Sequence, residues 1–406
     1  MDPDERDAAG SGGYTAPQDV DARHDWFARM RAEEPVWFDE RTGFWHAFGY
    51  DDVAHVLAEP ASFSSELSRV YPDAADFAEG ELTAMDPPRH AQLRAAVAQA
   101  FTPKVVSDLE PRIAALTEDL LSGVDGDRWD LVTDLAYPLP VAVIGELLGL
   151  PPGDGELIRS WIEPMLEQQS GDPVVGEELF GERTEAIRQP RTELRDYLDD
   201  QCRRHRGTER DGLLSALQRS DMDGGLLGSG ALINIAELLL LAGHITTTLL
   251  LGSTVLRLQQ RPDLADELRG DPTRIPRVLE EVLRTSSPFT QVLRVTTDRV
   301  RLGGREIDAD QPVTVWLASA NRDETRFHDA ADFRPDRHPN PHLAFGRGIH
   351  FCLGAPLARL EGRVAIQALL RRFPRIAAPH DDAPTFYTNP ALTGPKRLPV
   401  HCLPTC

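Results

Sequence analysis

Cys352 lies in the segment Phe345-Gly346-Arg347-Gly348-Ile349-His350-Phe351-Cys352-Leu353-Gly354, immediately ahead of a helical run from Ala355 through Leu370. Glycines at 346, 348 and 354 let the backbone turn tightly and approach a flat ligand. A helix opening at Ala355 points its free N–H groups back toward the sulfur. Such a setting favours thiolate over thiol, and a thiolate is a metal ligand. Two other pairs have spacing that can do work. His90 and Arg94 lie i, i+4 on one predicted helix face, within reach of the same anionic group. Glu281 and Arg284, i, i+3 on another helix, can both meet a distant arginine, though taken alone they read as a solvated helix pair.

A thiolate on haem iron pushes electron density toward dioxygen and promotes O–O cleavage. The cysteine segment, the E-x-x-R element Glu281-Val282-Leu283-Arg284 and the F-x-P-x-R element Phe333-Arg334-Pro335-Asp336-Arg337 together resemble the cytochrome P450 family, over about Asp19 to Val400. The resemblance implies haem b (iron protoporphyrin IX) as cofactor and Cys352 as its axial ligand, with Phe345, Gly346 and Gly354 shaping the loop. It adds Arg294 and His350 to His90 and Arg94 as a clamp on the haem propionates, and makes Glu281, Arg284 and Arg337 a structural lock.

Ala242-Gly243-His244-Ile245-Thr246-Thr247 resembles the family's central helix element, in which a small pair is followed by an acid and then a threonine. Ala242, Gly243 and Thr246 are expected to face the haem together, leaving room for dioxygen and offering a hydroxyl. The acid is absent: Ile245 holds its place and neither donates nor accepts a proton. Protons must then arrive by ordered water, by Thr246 and Thr247, or from a polar group of the substrate. His244 is one residue, roughly 100°, away from the haem-facing line and is expected to pack on a neighbouring helix.

The implied activity is a soluble bacterial class I monooxygenase, hydroxylating or epoxidising a secondary-metabolite-like small molecule, free or tethered to a carrier protein. Substrate-pocket candidates are Asn234, Glu237, Leu238 and Leu241 on the central helix, Thr290 and Gln291 after the E-x-x-R helix, and the stretches 64–83 and 387–392. No glycine fingerprint for a flavin or nicotinamide follows a strand, so electrons must come from outside. Ferredoxin and ferredoxin reductase are the implied donors. Arg347, Arg359, Arg363, Arg371, Arg372 and Arg375, against Glu361, would attract an acidic partner to the cysteine side. A peroxide-using enzyme of the same fold would also tolerate Ile245, but such enzymes place an arginine near the iron and none lies between Gly230 and Val255. A non-catalytic recruiter or activator would be marked by a lost Cys352 or a ruined loop, and neither is seen.

The elements that must position these groups are mostly helical. At 406 residues and 41 % hydrophobic the chain can bury a large core. Its net charge of -22 excludes non-specific attraction to nucleic acid or an anionic membrane. Four scattered cysteines form neither a disulfide framework nor a zinc site. The acidic, Gly/Ser-rich start reads as a leader over residues 1–18 without a secretory signal, giving a cytoplasmic protein whose single domain spans 19–406. Helices are expected at 51–58, 88–100, 104–121, 135–148, 154–167, 231–258, 263–269 and 275–284. The charged stretch 177–206 reads as a surface cover of one or two helices, and 203–211 as a loop. Strand-like patches fall at 36–48, 292–300 and 313–318. The apolar run Ala231–Leu258 is interrupted by Asn234, Glu237 and His244 and reads as a buried helix, not a membrane span. The expected class is mainly α with small β-sheets, the cytochrome P450 fold in a single large domain.

Overall fold

The computed structural model describes residues 20–72, 81–167, 182–205, 212–222 and 229–403. The leader 1–18, Cys406, much of the 203–211 loop and part of the 64–83 pocket stretch lie outside the described residues. In chain order the helices are α1 Val20–Glu33, α2 Tyr50–Ala58, α3 Arg89–Ala98, α4 Pro103–Asp108, α5 Glu110–Ser122, α6 Pro138–Leu148, α7 Gly155–Glu167, α8 Glu182–His205, α9 Leu213–Met222, α10 Ser229–Gln260, α11 Pro262–Gly270, α12 Ile275–Thr285, α13 Leu317–Ala320 and α14 Ala355–Arg372.

Around α10 the other helices are layered: α6, α8, α12 and α14 all pack on it. It is the one described helix long and apolar enough to cross a membrane, yet 67 % of its most apolar window is buried inside the protein. Asn234, Glu237 and His244 are likewise buried. A helix apolar on all sides is satisfied by being surrounded, which a core does as well as lipid.

Strands β1 Val36–Asp39 and β2 Phe44–Ala47 form a hairpin, Val36 opposite Ala47, turned at Gly43 with φ +72°. β2 then pairs in parallel with β8 Pro312–Val315, and the five-stranded order is β1-β2-β8-β5-β3, with β3 Phe63–Ser64 and β5 Val292–Thr296. Buried Phe27, Phe48 and Trp316 fasten α1 to this sheet. The same sheet carries Arg294 inward on β5.

Several sequence expectations need correction. The 104–121 helix breaks at Leu109, where Pro111 in the first turn of α5 starts a new helix. The 135–148 helix begins at Pro138, after a π-turn at Val132–Ala136. The 292–300 patch divides into β5 and β6 Val300–Leu302, and the 313–318 patch ends at Val315 before the single turn of α13. The segment read as a surface cover is α8, whose Leu194, Leu198 and Cys202 are buried at helical spacing between α7 and α10. Four-residue spacing of three small apolar groups is enough for one face when long arginine stems flank it. A three-stranded sheet of β4 Arg128–Asp130, β12 Pro399–Leu403 and β9 Arg375–Ala377 was not legible, since strands this short carry no alternation.

Candidate functional site

Cys352 sits between a 3₁₀ turn at Gly348–His350 and α14, its own N–H bonded to Phe345 O at 2.8 Å. Burial pushes the thiol up, opposed by the N–H groups of Gly354 and Ala355 and by the Arg94 and Arg359 guanidiniums. The helix-end N–H groups and the two guanidiniums thus act in the expected direction, toward thiolate, against the burial. Gly346 and Gly348 both hold left-handed φ, +69° and +71°. A Cβ at Gly348 would strike Leu57 O at 2.5 Å, so this glycine serves the approach to α2, not to a flat ligand. Gly354 is the glycine beside the sulfur, its would-be Cβ 4.0 Å from Sγ.

Nitrogen donors converge beside this loop. His90 and His350 have ring centroids 4.3 Å apart, and Arg94 donates to Phe351 O at 2.6 Å. His350 Nε2 lies 2.9 Å from Ser65 Oγ, and burial followed by Arg294 holds its imidazole neutral, at about 3. Arg294 is buried and bonds only the carbonyl of Leu293, with no carboxylate partner among the described residues; burial lowers its guanidinium to about 10. His90 Nε2 is buried with no partner. Arg294 and His90 both act on His350, and a buried guanidinium and an orphan imidazole nitrogen are costly without an anion to bind. This donor set fits the carboxylates of a haem held on Cys352.

Below the loop, Glu281 and Arg284 are both fully buried and joined by two hydrogen bonds, 2.7 and 2.9 Å. Arg337 Nε reaches Glu281 at 3.1 Å, and Arg334 N–H and Asn340 Nδ2 take its remaining lone pairs. Arg284 does not meet Arg337 as the spacing allowed. It donates instead to the carbonyls of Asn321, Ala330 and Asp332. A second brace was missed: Glu280 accepts a bidentate pair from Arg359 at 2.7 and 2.8 Å and lies 3.1 Å from His342 Nε2, while the Arg359 guanidinium lies 4.5 Å over Phe345. Burial opposes ionisation of Glu280, but these bonds hold it at about 2.

On α10, Ala242 is exposed and Thr246 partly so, its hydroxyl bonded to Ala242 O at 2.9 Å. Gly243 does not share that face: a Cβ there would meet Ile144 of α6 at 3.0 Å, so it serves helix packing. Ile245 is buried in the main core, and Thr247 is buried with its hydroxyl on Gly243 O. His244 packs against Tyr137 edge to face, 5.2 Å between centroids, with Nδ1 on Leu240 O, and burial lowers it to about 4.

The pocket candidates separate. Leu238 and Leu241 are partly buried. Glu237 is gripped by Arg191 at 2.5 Å and Arg195 at 2.6 Å, and Asn234 accepts from Arg195, so these two tie α8 to α10 and are not free for a ligand. Thr290 is fully buried and donates to Pro390 O at 2.7 Å, joining the 387–392 turn to β5. Gln291 is half-buried. Of the six arginines expected to form a basic face, Arg359, Arg363 and Arg371 are paired with Glu280, Glu110 and Glu118. Arg347, Arg372 and Arg375 are exposed. Glu361, counted against them as a surface charge, is buried, and burial pushes it up to about 8.

The family model described as Cytochrome P450 matches residues 175–403. The erythromycin C-12 hydroxylase of Saccharopolyspora erythraea is 42 % identical, covering 94 % of this chain and 95 % of its own. The cyclomarin C epoxidase CymV of Salinispora arenicola is 44 % identical, with 93 % and 95 % covered. Among solved structures, a mutant of P450 EryK in complex with erythromycin B superimposes with TM-score 0.89 at 41 % identity, covering 96 % of this chain and 98 % of that one. HmtN, a post-tailoring hydroxylase involved in himastatin biosynthesis, gives 0.83 at 41 %, with 94 % and 96 % covered.

Proposed function

We infer the reaction from one premise: this chain belongs to the cytochrome P450 family and is a monooxygenase of secondary metabolism. Its cofactor is a haem-thiolate, and it takes electrons from a redox partner to act on a small molecule. When bound, haem supplies the dioxygen activation by which one oxygen atom enters the substrate while the other leaves as water. The remaining assignments are our reading. The haem is haem b, Cys352 holds its iron, and His90, Arg94, Arg294 and His350 bind its propionates. Phe345, Gly346 and Gly354 shape the loop, and Glu281, Arg284 and Arg337 lock it from below. The observation that carries this is the buried Arg294 guanidinium with no carboxylate partner among the described residues, together with the orphan Nε2 of His90. Arg294→Ala is expected to speed haem transfer to apomyoglobin about tenfold, since a charge-assisted hydrogen bond is worth roughly 1.5 kcal/mol. An unchanged transfer rate would remove Arg294 from the clamp.

Hydroxylation or epoxidation of a natural-product-like compound is the reaction we propose, in the manner of the relatives named as a hydroxylase of erythromycin and an epoxidase of cyclomarin C. Ala242 and Thr246 line the open face of α10, with Leu238 one turn before Ala242 and Leu241 next to it in the chain. Thr246 accepts and passes protons there. Because Ile245 is sealed in the core, the protons come through water or a polar group of the substrate. Ile245→Glu is therefore expected to leave product formed per NAD(P)H consumed within about twofold of wild type. A sharp rise in that ratio at unchanged substrate affinity, in protein with full haem content, would show instead that the natural relay is merely poor. The protein is cytoplasmic in this reading. Its electron donor is a ferredoxin, served by ferredoxin reductase, docking near Arg347, Arg372 and Arg375 on the cysteine side.

A further inference from the structure

Two opposite charges are built against the cysteine loop from α12 and α14. Glu280 accepts both bonds of the Arg359 fork, at 2.7 and 2.8 Å, which fixes the guanidinium in place. That guanidinium lies 4.5 Å over the face of Phe345, and Phe345 O accepts the N–H of Cys352 at 2.8 Å. His342 completes the arrangement. Its Nδ1 accepts from the N–H of Ala344 at 3.2 Å, so Nε2 carries the proton and donates to Glu280 at 3.1 Å. The Arg359 and Glu280 side chains are 39 % and 29 % exposed. An ion pair so open to water adds little to stability, and stability alone gives weak reason for two charges here. Electrostatics gives a stronger one. The guanidiniums whose field reaches the sulfur include Arg94 and Arg359. Arg94 stands with the propionate-binding set, whereas Arg359 has no part in holding the haem.

We propose that Arg359 and Glu280 are positioning residues that set the reduction potential of the bound haem through the field they place on the Cys352 sulfur. The proposal rests on the reading of Cys352 as the axial ligand. A cation near a thiolate stabilises negative charge on the sulfur, so less of it is pushed to the metal and the reduced state is favoured. The Glu280 carboxylate, bound to that same cation, cancels part of its field. The two residues thus act in opposite directions on one quantity, which a purely mechanical brace cannot do.

Potentiometric titration of the full-length, haem-loaded protein against redox dyes reads this directly. Arg359→Gln leaves Glu280 without its cation and should lower the one-electron reduction constant about three- to tenfold, tenfold being 59 mV. Glu280→Gln leaves the guanidinium uncancelled and should raise that constant by a similar factor. The double variant should return close to wild type, and Arg359→Lys, which keeps the charge and loses the fork, should stay within about twofold of it. Shifts of the two single variants in the same direction, or potentials equal to wild type in both, would overturn the proposal. If Glu280→Gln does not retain haem, the two Arg359 variants decide: a lowered potential with Gln and a near-native one with Lys is expected, and equal shifts in both would overturn it. The carbon monoxide spectrum separates this proposal from the reading beneath it. A thiolate-type band in every variant with an unmoved potential refutes the field alone, whereas a wild type lacking that band refutes Cys352 as ligand and the proposal with it.

Discussion

Arg284→Met should lower the stability of the haem-loaded protein by about 3–5 kcal/mol, the cost of stranding a buried charge when its partner is removed. Glu281 is fully buried, and in this variant its carboxylate keeps only Arg337, Asn340 and the N–H of Arg334. The carbonyls of Asn321, Ala330 and Asp332 lose their donor in the same step. Those carbonyls belong to the segment that leads into the cysteine loop, so haem content should fall along with the denaturation midpoint. Adding Glu281→Gln to Arg284→Met should recover none of the loss, because it takes from the buried Arg337 its carboxylate in turn. A single variant within about 1 kcal/mol of wild type would mean that the lock is not needed to hold the loop.

The second large effect is expected at Cys352. Cys352→Ala removes one sulfur from a loop whose shape is held independently by Gly346, Gly348 and the Cys352 N–H bond to Phe345 O. The fold should survive, while turnover with substrate and reductant falls by at least about 10³-fold, equivalent to some 4 kcal/mol of barrier. Folded protein with near-normal turnover would contradict the assignment of the axial ligand.

The parts of the site legible in the sequence are those in which residue type and spacing are both demanded locally. Cysteine among glycines ahead of a helix is one, and an i, i+3 Glu and Arg on one helix is another. Contacts made across the fold leave no such trace. Nothing near Gly348 announces that its bare Cα faces Leu57, nearly three hundred positions away. Likewise Gly243 reads as room for dioxygen until Ile144 is found against it. The Glu280–Arg359–His342 brace joins three segments distant in the chain, and Glu280 alone resembles any solvated helix charge. Asn234 and Glu237 are pocket candidates by their place on the central helix. Their partners, Arg191 and Arg195, come from a helix whose depth its charged composition conceals. The main helices were readable from periodicity and caps, whereas three-residue strands depend on neighbours that only the folded chain provides.

The central claim, that Cys352 holds haem iron through its thiolate, is tested most directly by the carbon monoxide difference spectrum of purified, dithionite-reduced protein. A red-shifted Soret band that disappears in Cys352→Ala is the expected result. Folded protein that carries no haem, or a histidine-type spectrum indifferent to Cys352, would contradict it.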